Sequence, residues 1–228
     1  MSVKKIKLVF TIGASIVGFF IFLTVLLSLP LRWFNPPVTA FVFNDDNVGS
    51  LNLRDKWAAY DEVSPHVFLA VMAAEDQKFP EHFGFDFESL KKALNEKRSK
   101  RRGASTITQQ LVKNVYLWPG RSLFRKGVEA WLTLWIELFV SKERILELYV
   151  NVVEFGPGIY GVGKATETFY GTKPKSINRF QAAMLASVLP NPKRYSVAKP
   201  SAYVFERSAD IRRSMRALGG VGFLSTLE

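Results

Sequence analysis

The stretch SPHVFLAVMAAEDQKFPEHFGFD, residues 64–86, decides the fold class. Ser64 followed by Pro65 spells a helix start: a capping residue, then a proline at the first helical position. Val67, Val71, Met72 and Ala74 recur at helical spacing, and the helix is expected to stop before Pro80. Glu75 follows Met72 by three residues and Val71 by four, so it continues the apolar stripe. A carboxylate on that face, near a helix end, would be partly desolvated and its pKa raised, as a general base requires. The competing reading is a helix-terminal Glu75 paired with Lys78 on the surface.

Downstream the same helical spacing returns. Helices are expected over 105–117, 123–140, 142–150, 176–189 and 202–218. Trp118-Pro119-Gly120, Phe155-Gly156-Pro157-Gly158 and Leu189-Pro190-Asn191-Pro192 punctuate the gaps. No run of alternating strands and no internal repeat is evident, so the expected class is mostly α.

Upstream, residues 8–29 form a run of 22 residues without a charge, preceded by Lys4, Lys5 and Lys7. A hydrocarbon core about 30 Å thick needs about 20 helical residues, so this run can span it. It exceeds the apolar length of a cleaved secretory signal, and no small-residue cleavage site follows before Pro30. Three lysines before the span against Arg32 alone just after it predict a cytoplasmic N-terminus. A second span at 131–140 is too short and carries Glu137. Residues 32–54, rich in Pro, Asn and aromatics, read as a linker into the domain.

The 228 residues carry a formal charge of +11, of which +8 remains after the three N-terminal lysines. Such a balance calls for an anionic partner: nucleic acid, an acidic membrane surface or a phosphorylated substrate. With no cysteine, disulfides, thiolate-bound zinc and thiol catalysis are excluded. Two histidines, His66 and His82, leave little scope for a His-rich metal site, and no clustered carboxylate pattern is present. No metal and no cofactor is expected.

Three further stretches can carry chemistry. In RRGASTITQQLVKN, residues 101–114, Ser105 is a plausible helix cap with Arg101 and Arg102 just upstream. Free N–H groups and the positive end of the helix dipole make such a start an anion site. Thr106, Gln110 and Lys113 share one polar face, against which a pyrophosphate could lie; an ordinary capped helix with a solvated face is the alternative. In RKGVEAW, residues 125–131, Arg125, Lys126 and Glu129 can all meet, either as a simple ion pair or as a phosphate site whose cations Glu129 holds in place. In KERILELYVN, residues 142–151, isoleucine and leucine at helical spacing are core, and the glycines of 155–161 read either as backbone lying close to something bulky or, the favoured reading, as a tight turn. Ser196-Val197-Ala198-Lys199 spells the S-x-x-K of penicillin-binding transpeptidases, but no K-T-G follows and too few residues remain for that domain.

Taken together these segments resemble the peptidoglycan glycosyltransferase family, in particular its monofunctional biosynthetic members. AAEDQKFPEHFGFD from Ala73, RRGASTITQQLVKN from Arg101 and RKGVEAWLTLWIE from Arg125 match its first three motifs. KERILELYVNVVEFGPGIYGV from Lys142 and AAMLASVLPNPKRYS from Ala182 match the fourth and fifth, in the family's order. The resemblance implies a lysozyme-like α-helical glycosyltransferase domain over 61–228 with a smaller membrane-facing lobe. It would follow a cytoplasmic tail (1–7), a transmembrane helix (8–29) and a linker (30–60). The resemblance further implies that lipid II offers its GlcNAc 4-hydroxyl to the lipid-pyrophosphate-linked growing chain, releasing undecaprenyl pyrophosphate.

On the same footing Glu75 is the general base and Glu129 the second essential acid, arranging basic residues around the donor phosphates. Asp76, Phe79 and His82 shape the first site. Ser105, Thr106, Gln110, Lys113 and Asn114, with Arg125 and Lys126, line the donor site. The expected setting is the bacterial inner membrane with a periplasmic catalytic domain, cross-linking being left to other wall-synthesis proteins and nucleic acid playing no part. Two alternatives remain: a peptidoglycan-cleaving lytic enzyme, disfavoured by the basic cluster, and a non-catalytic scaffold of a wall-synthesis complex.

Overall fold

The computed structural model describes residues 3–48, 52–95, 105–120 and 122–227. Arg101 and Arg102 lie outside the described residues. The chain runs as α1 (Val3–Ser28), a short α2 (Ala40–Phe43), α3 (Pro65–Glu75), α4 (Phe87–Asn95), α5 (Ile107–Tyr116), α6 (Leu123–Phe139) and α7 (Lys142–Val152). A hairpin of β1 (Glu154–Gly156) and β2 (Ile159–Tyr160) follows. Then come α8 (Val162–Tyr170), α9 (Arg179–Val188), α10 (Ala202–Ala217) and a closing 3-10 segment, Gly220–Leu227. The protein is mostly α.

The core is built around α3. Val67 through Ala73 are all buried, so this helix is enclosed on every side rather than along one stripe. α9, α10 and the closing 3-10 segment wrap it. Ser64 occupies the cap position but makes no side-chain cap bond; its backbone N–H donates to Pro174 O instead. The helix ends at Glu75, where Asp76 leaves helical geometry at φ −160°. A second packing joins α5 to α7 on one side and to α6 on the other, with Ile107, Leu111 and Val112 facing Ile145, Leu146 and Ile136 in one continuous core.

Helix starts follow local chemistry. α5 is capped by Thr106, not Ser105: Thr106 Oγ1 accepts from Gln109 N while Gln109 Oε1 accepts from Thr106 N. α9 is capped the same way by Asn178 and Gln181, three residues later than the expected start at 176. The hairpin at 154–160 is too short to leave an alternating pattern. Ser196 of the S-x-x-K sequence accepts from Lys199 N at 3.1 Å, an ordinary local turn.

α1 docks on the domain through its last turns. Trp131 Nε1 donates to Thr24 Oγ1 at 2.9 Å and Tyr116 Oη donates to Leu27 O at 2.6 Å. The stretch 10–32 is long and apolar enough to cross a membrane, with mean hydropathy 2.5, which fits a single-pass anchor. Phe124, Trp131, Leu134 and Leu138 fall at helical spacing along α6 and are exposed, giving it an apolar outer face. Between α1 and α6 lies a cleft of about 440 Å³ lined by Phe20, Leu23, Leu27, Phe124, Val128 and Trp131 among others.

Of residues 30–60, read as a linker, the described ones (30–48 and 52–60) pack against the domain. Arg144 on α7 donates through Nε to Leu31 O at 3.0 Å and through Nη2 to Asn35 Oδ1 at 2.7 Å. Asn151 receives Ala58 N at 2.9 Å and returns a bond to Ala58 O at 2.8 Å. Those bonds, with Leu31, Val42, Leu53 and Ala58 in the core, fix where the base of α1 stands relative to α7.

Candidate active site

Glu75 sits at the C-terminal end of α3, its side chain 13% exposed. Gln110 Nε2 on α5 donates to Oε2 at 2.9 Å, and Arg207 Nη2 on α10 lies 3.4 Å from Oε1. Lys78 is engaged elsewhere, with Glu88, so the surface pair weighed against a base role is not formed. Burial raises the Glu75 pKa above 4.5; Gln110, Arg207 and Lys113 pull it down and Asp76 pushes it up. A cleft of about 360 Å³ opens beside it, lined by Glu75, Asp76, Lys78, Asp86, Lys92, Ser105 and their neighbours.

Asp76 ties this helix end to α5. Its Oδ2 accepts from Ile107 N at 3.0 Å, filling an orphan donor of the α5 first turn, and His82 Nε2 lies 3.0 and 3.1 Å from the two carboxylate oxygens. Phe79 is fully buried, set edge-on to His82. Lys142 Nζ stands 4.4 Å from its ring centroid, donates to His82 O at 2.7 Å and pairs with Glu137 at 2.8 Å. Asp76, Phe79 and His82 thus brace the loop after α3. Thr106 donates to Gly84 O at 2.7 Å and is 2% exposed, so its hydroxyl is fully used within the protein, at a departure from the open polar face expected of it. Asn114 is likewise buried.

The second acid, Glu129, is 3% exposed on α6. Arg125 Nη1 lies 3.4 Å from its Oε2, and Lys126 Nζ bonds its Oε1. Lys113 lies where it feels both acids: Glu129 and Glu75 favour its charge, Arg125 and Lys126 oppose it, and burial outweighs these to lower its pKa below 10.5. Its ammonium makes no ion pair with any described residue; the Phe41 ring lies 5.5 Å away. A half-buried cation so placed can take an anion at little further desolvation cost.

The structure therefore sets Gln110 of α5 on Glu75 and places Lys113 of the same helix where it feels the charges of Glu75 and of the Arg125–Lys126–Glu129 cluster. Sequence reading missed Arg207 and Tyr149. Tyr149 donates from its buried hydroxyl to Gln110 Oε1 at 3.0 Å, and burial keeps that hydroxyl protonated by raising its pKa well above 10.0. Among the described residues no group of three His, Asp or Glu side chains could hold a metal ion.

An α-helical domain with a desolvated acid, a cationic cluster and an apolar anchor agrees with the comparison to known families: this chain belongs to the transglycosylase family, whose model matches residues 45–216. Its relatives carry a narrower name. A biosynthetic peptidoglycan transglycosylase of Shewanella oneidensis is 44% identical over 225 residues, covering 96% of each chain. Proteins of the same name from Xanthomonas campestris and Ectopseudomonas mendocina are 46% and 48% identical, over 88% and 89% of this chain and 85% and 87% of theirs.

Proposed function

We propose that this transglycosylase elongates peptidoglycan glycan strands, using lipid II as acceptor and the undecaprenyl-pyrophosphate-linked chain as donor. The observation that carries this reading is a largely buried Glu75 held by Gln110 of α5, with Lys113, which makes no ion pair with any described residue, three residues further along that helix. Glu75 takes the proton from the GlcNAc 4-hydroxyl as that oxygen attacks the anomeric carbon of the donor. The bond from that carbon to the pyrophosphate oxygen breaks, and undecaprenyl pyrophosphate leaves with the bonding pair. Lys113, Arg125 and Lys126 meet the charge that develops there, and Glu129 holds the last two in place. Glu75 regains its carboxylate form by passing the proton to solvent through the adjoining cleft.

The apolar α1 and the exposed apolar face of α6 support a setting at the inner membrane, where a lipid-linked substrate is reached from the bilayer. With the N-terminal lysines in the cytoplasm, the domain works on the periplasmic side. Purified full-length protein incubated with labelled lipid II in detergent should yield glycan polymer and undecaprenyl pyrophosphate. Degradation of finished peptidoglycan with no polymer from lipid II would instead make it a lytic enzyme.

A further inference from the structure

We propose that Arg207 is a positioning residue for Glu75: reaching from α10 to the end of α3, its guanidinium orients the carboxylate and holds it ionised. The inference rests on the reading of Glu75 as the base.

Arg207 Nη2 lies 3.4 Å from Glu75 Oε1 and 3.5 Å from Ala74 O, so it grips both the side chain and the backbone one residue before it. Gln110 holds the other carboxylate oxygen from α5. Each oxygen thus has its own donor, from a different helix, and the rotamer is fixed from two sides. The guanidinium is a planar donor that stays charged throughout the working pH range. Its side chain is 27% exposed, and its Nε is buried with no hydrogen-bond partner among the described residues, so the group is seated in the fold rather than waving from it.

The electrostatics give that grip a purpose. Burial pushes Glu75 toward its neutral form, in which it cannot accept a proton. The charged and titratable groups that face it are Arg207 from α10, Lys113 from α5, Tyr149 from α7 and the adjoining Asp76. Among the described residues, Arg207 and Lys113 are the cations that favour the carboxylate form by charge. Lys113 also faces Glu129 and the basic cluster. When a pyrophosphate binds there, its negative charge offsets that of Lys113 as felt at Glu75. Arg207, which reaches the other carboxylate oxygen from α10, is the cation that continues to hold the base ionised through the reacting complex.

The test is the pH profile of strand synthesis from labelled lipid II by the full-length protein. In Arg207→Gln the acid limb of kcat/KM should move up by about one pH unit, roughly a tenfold loss on the acid side that fades toward alkaline pH. Arg207→Lys keeps the charge and should keep the limb near that of the wild type. Arg207→Met, which retains the apolar stem, carries the same expectation as Arg207→Gln and replaces it if the latter does not fold. An unmoved limb, or a loss equal at every pH, overturns the inference. Glu75→Gln separates the two claims. If it still builds strands, the base assignment has failed; if it is inactive while the Arg207→Gln limb stays put, only the role of Arg207 has.

Discussion

The Tyr149 hydroxyl donates to Oε1 of Gln110 at 3.0 Å, and so decides which end of that amide faces Glu75. With Oε1 occupied, Nε2 is left to donate to the carboxylate at 2.9 Å. Tyr149→Phe keeps the ring in its buried place and removes the constraint. The amide then can turn its oxygen toward Glu75, where two acceptors repel. Strand synthesis should fall several-fold, and stability by about 1 kcal/mol for one buried hydrogen bond. Steady-state kinetics and thermal melting of the same variant check this.

Lys113→Ala should lower kcat/KM by roughly ten- to hundredfold, the loss of one charge-assisted contact worth about 1.5–3 kcal/mol. The fold should persist, since the ammonium pairs with no described residue. The sign of the pH effect follows from the lowered pKa. The charged form, which binds phosphate, exists below that pKa, so wild-type activity should decline on the alkaline side before pH 10.5 is reached. A titration of rate against pH shows whether that limb is present in the wild type.

Most of the longer helices were legible because their apolar period and their Gly and Pro punctuation are local; the nine-residue α4 and α8 were not expected. That Gln110 and Lys113 share one face, and that Arg125, Lys126 and Glu129 meet, was legible because each set lies within two helical turns; the roles proposed for them and for Glu75 came with the family resemblance, not with the spacing. Arg207 was not legible: it stands 132 positions from Glu75, and only the crossing of α10 over α3 brings them together. Tyr149 was given no role for the same reason: it stands 39 positions from Gln110. The misplaced α5 cap had a readable signal. Thr106-Ile107-Thr108-Gln109 spells a capping box, whereas Ser105 has Thr108, which is neither Glu nor Gln, three residues on.

Gly84 ties the loop after α3 to the start of α5, since its carbonyl receives the Thr106 hydroxyl. It holds φ +78°, and a Cβ there would stand 2.7 Å from Thr133 Cγ2 and 3.1 Å from Glu137 Cγ. Gly84→Ala should therefore cost about 1–3 kcal/mol from backbone strain and overpacking together. It should also loosen the start of α5. A melting temperature equal to that of the wild type would contradict this packing.

Topology is tested independently. Lys4, Lys5 and Lys7 precede the apolar stretch, so a reporter active only in the periplasm and fused after Glu228 should be active. Activity of a cytoplasm-only reporter at that position would reverse the assigned orientation and, with it, the route to the substrate.

The central claim is the chemistry of Glu75, and Glu75→Gln tests it most directly. Burial raises this acid above 4.5 in the fold. Such a group favours folding only while protonated: its contribution is present below about 4.5 and is lost as pH rises through the raised value. At neutral pH the ionised carboxylate costs stability, so Glu75→Gln should melt at or slightly above the wild type, the difference fading in acid. Binding of a phosphate-bearing donor analogue should persist, because Lys113, Arg125 and Lys126 are untouched. The measurement is the rate of glycan polymerisation from lipid II by the folded variant. A fall of at least about 10²–10⁴-fold, the usual share of a positioned base, is the result expected; a folded Glu75→Gln protein that builds strands at the wild-type rate would contradict the mechanism.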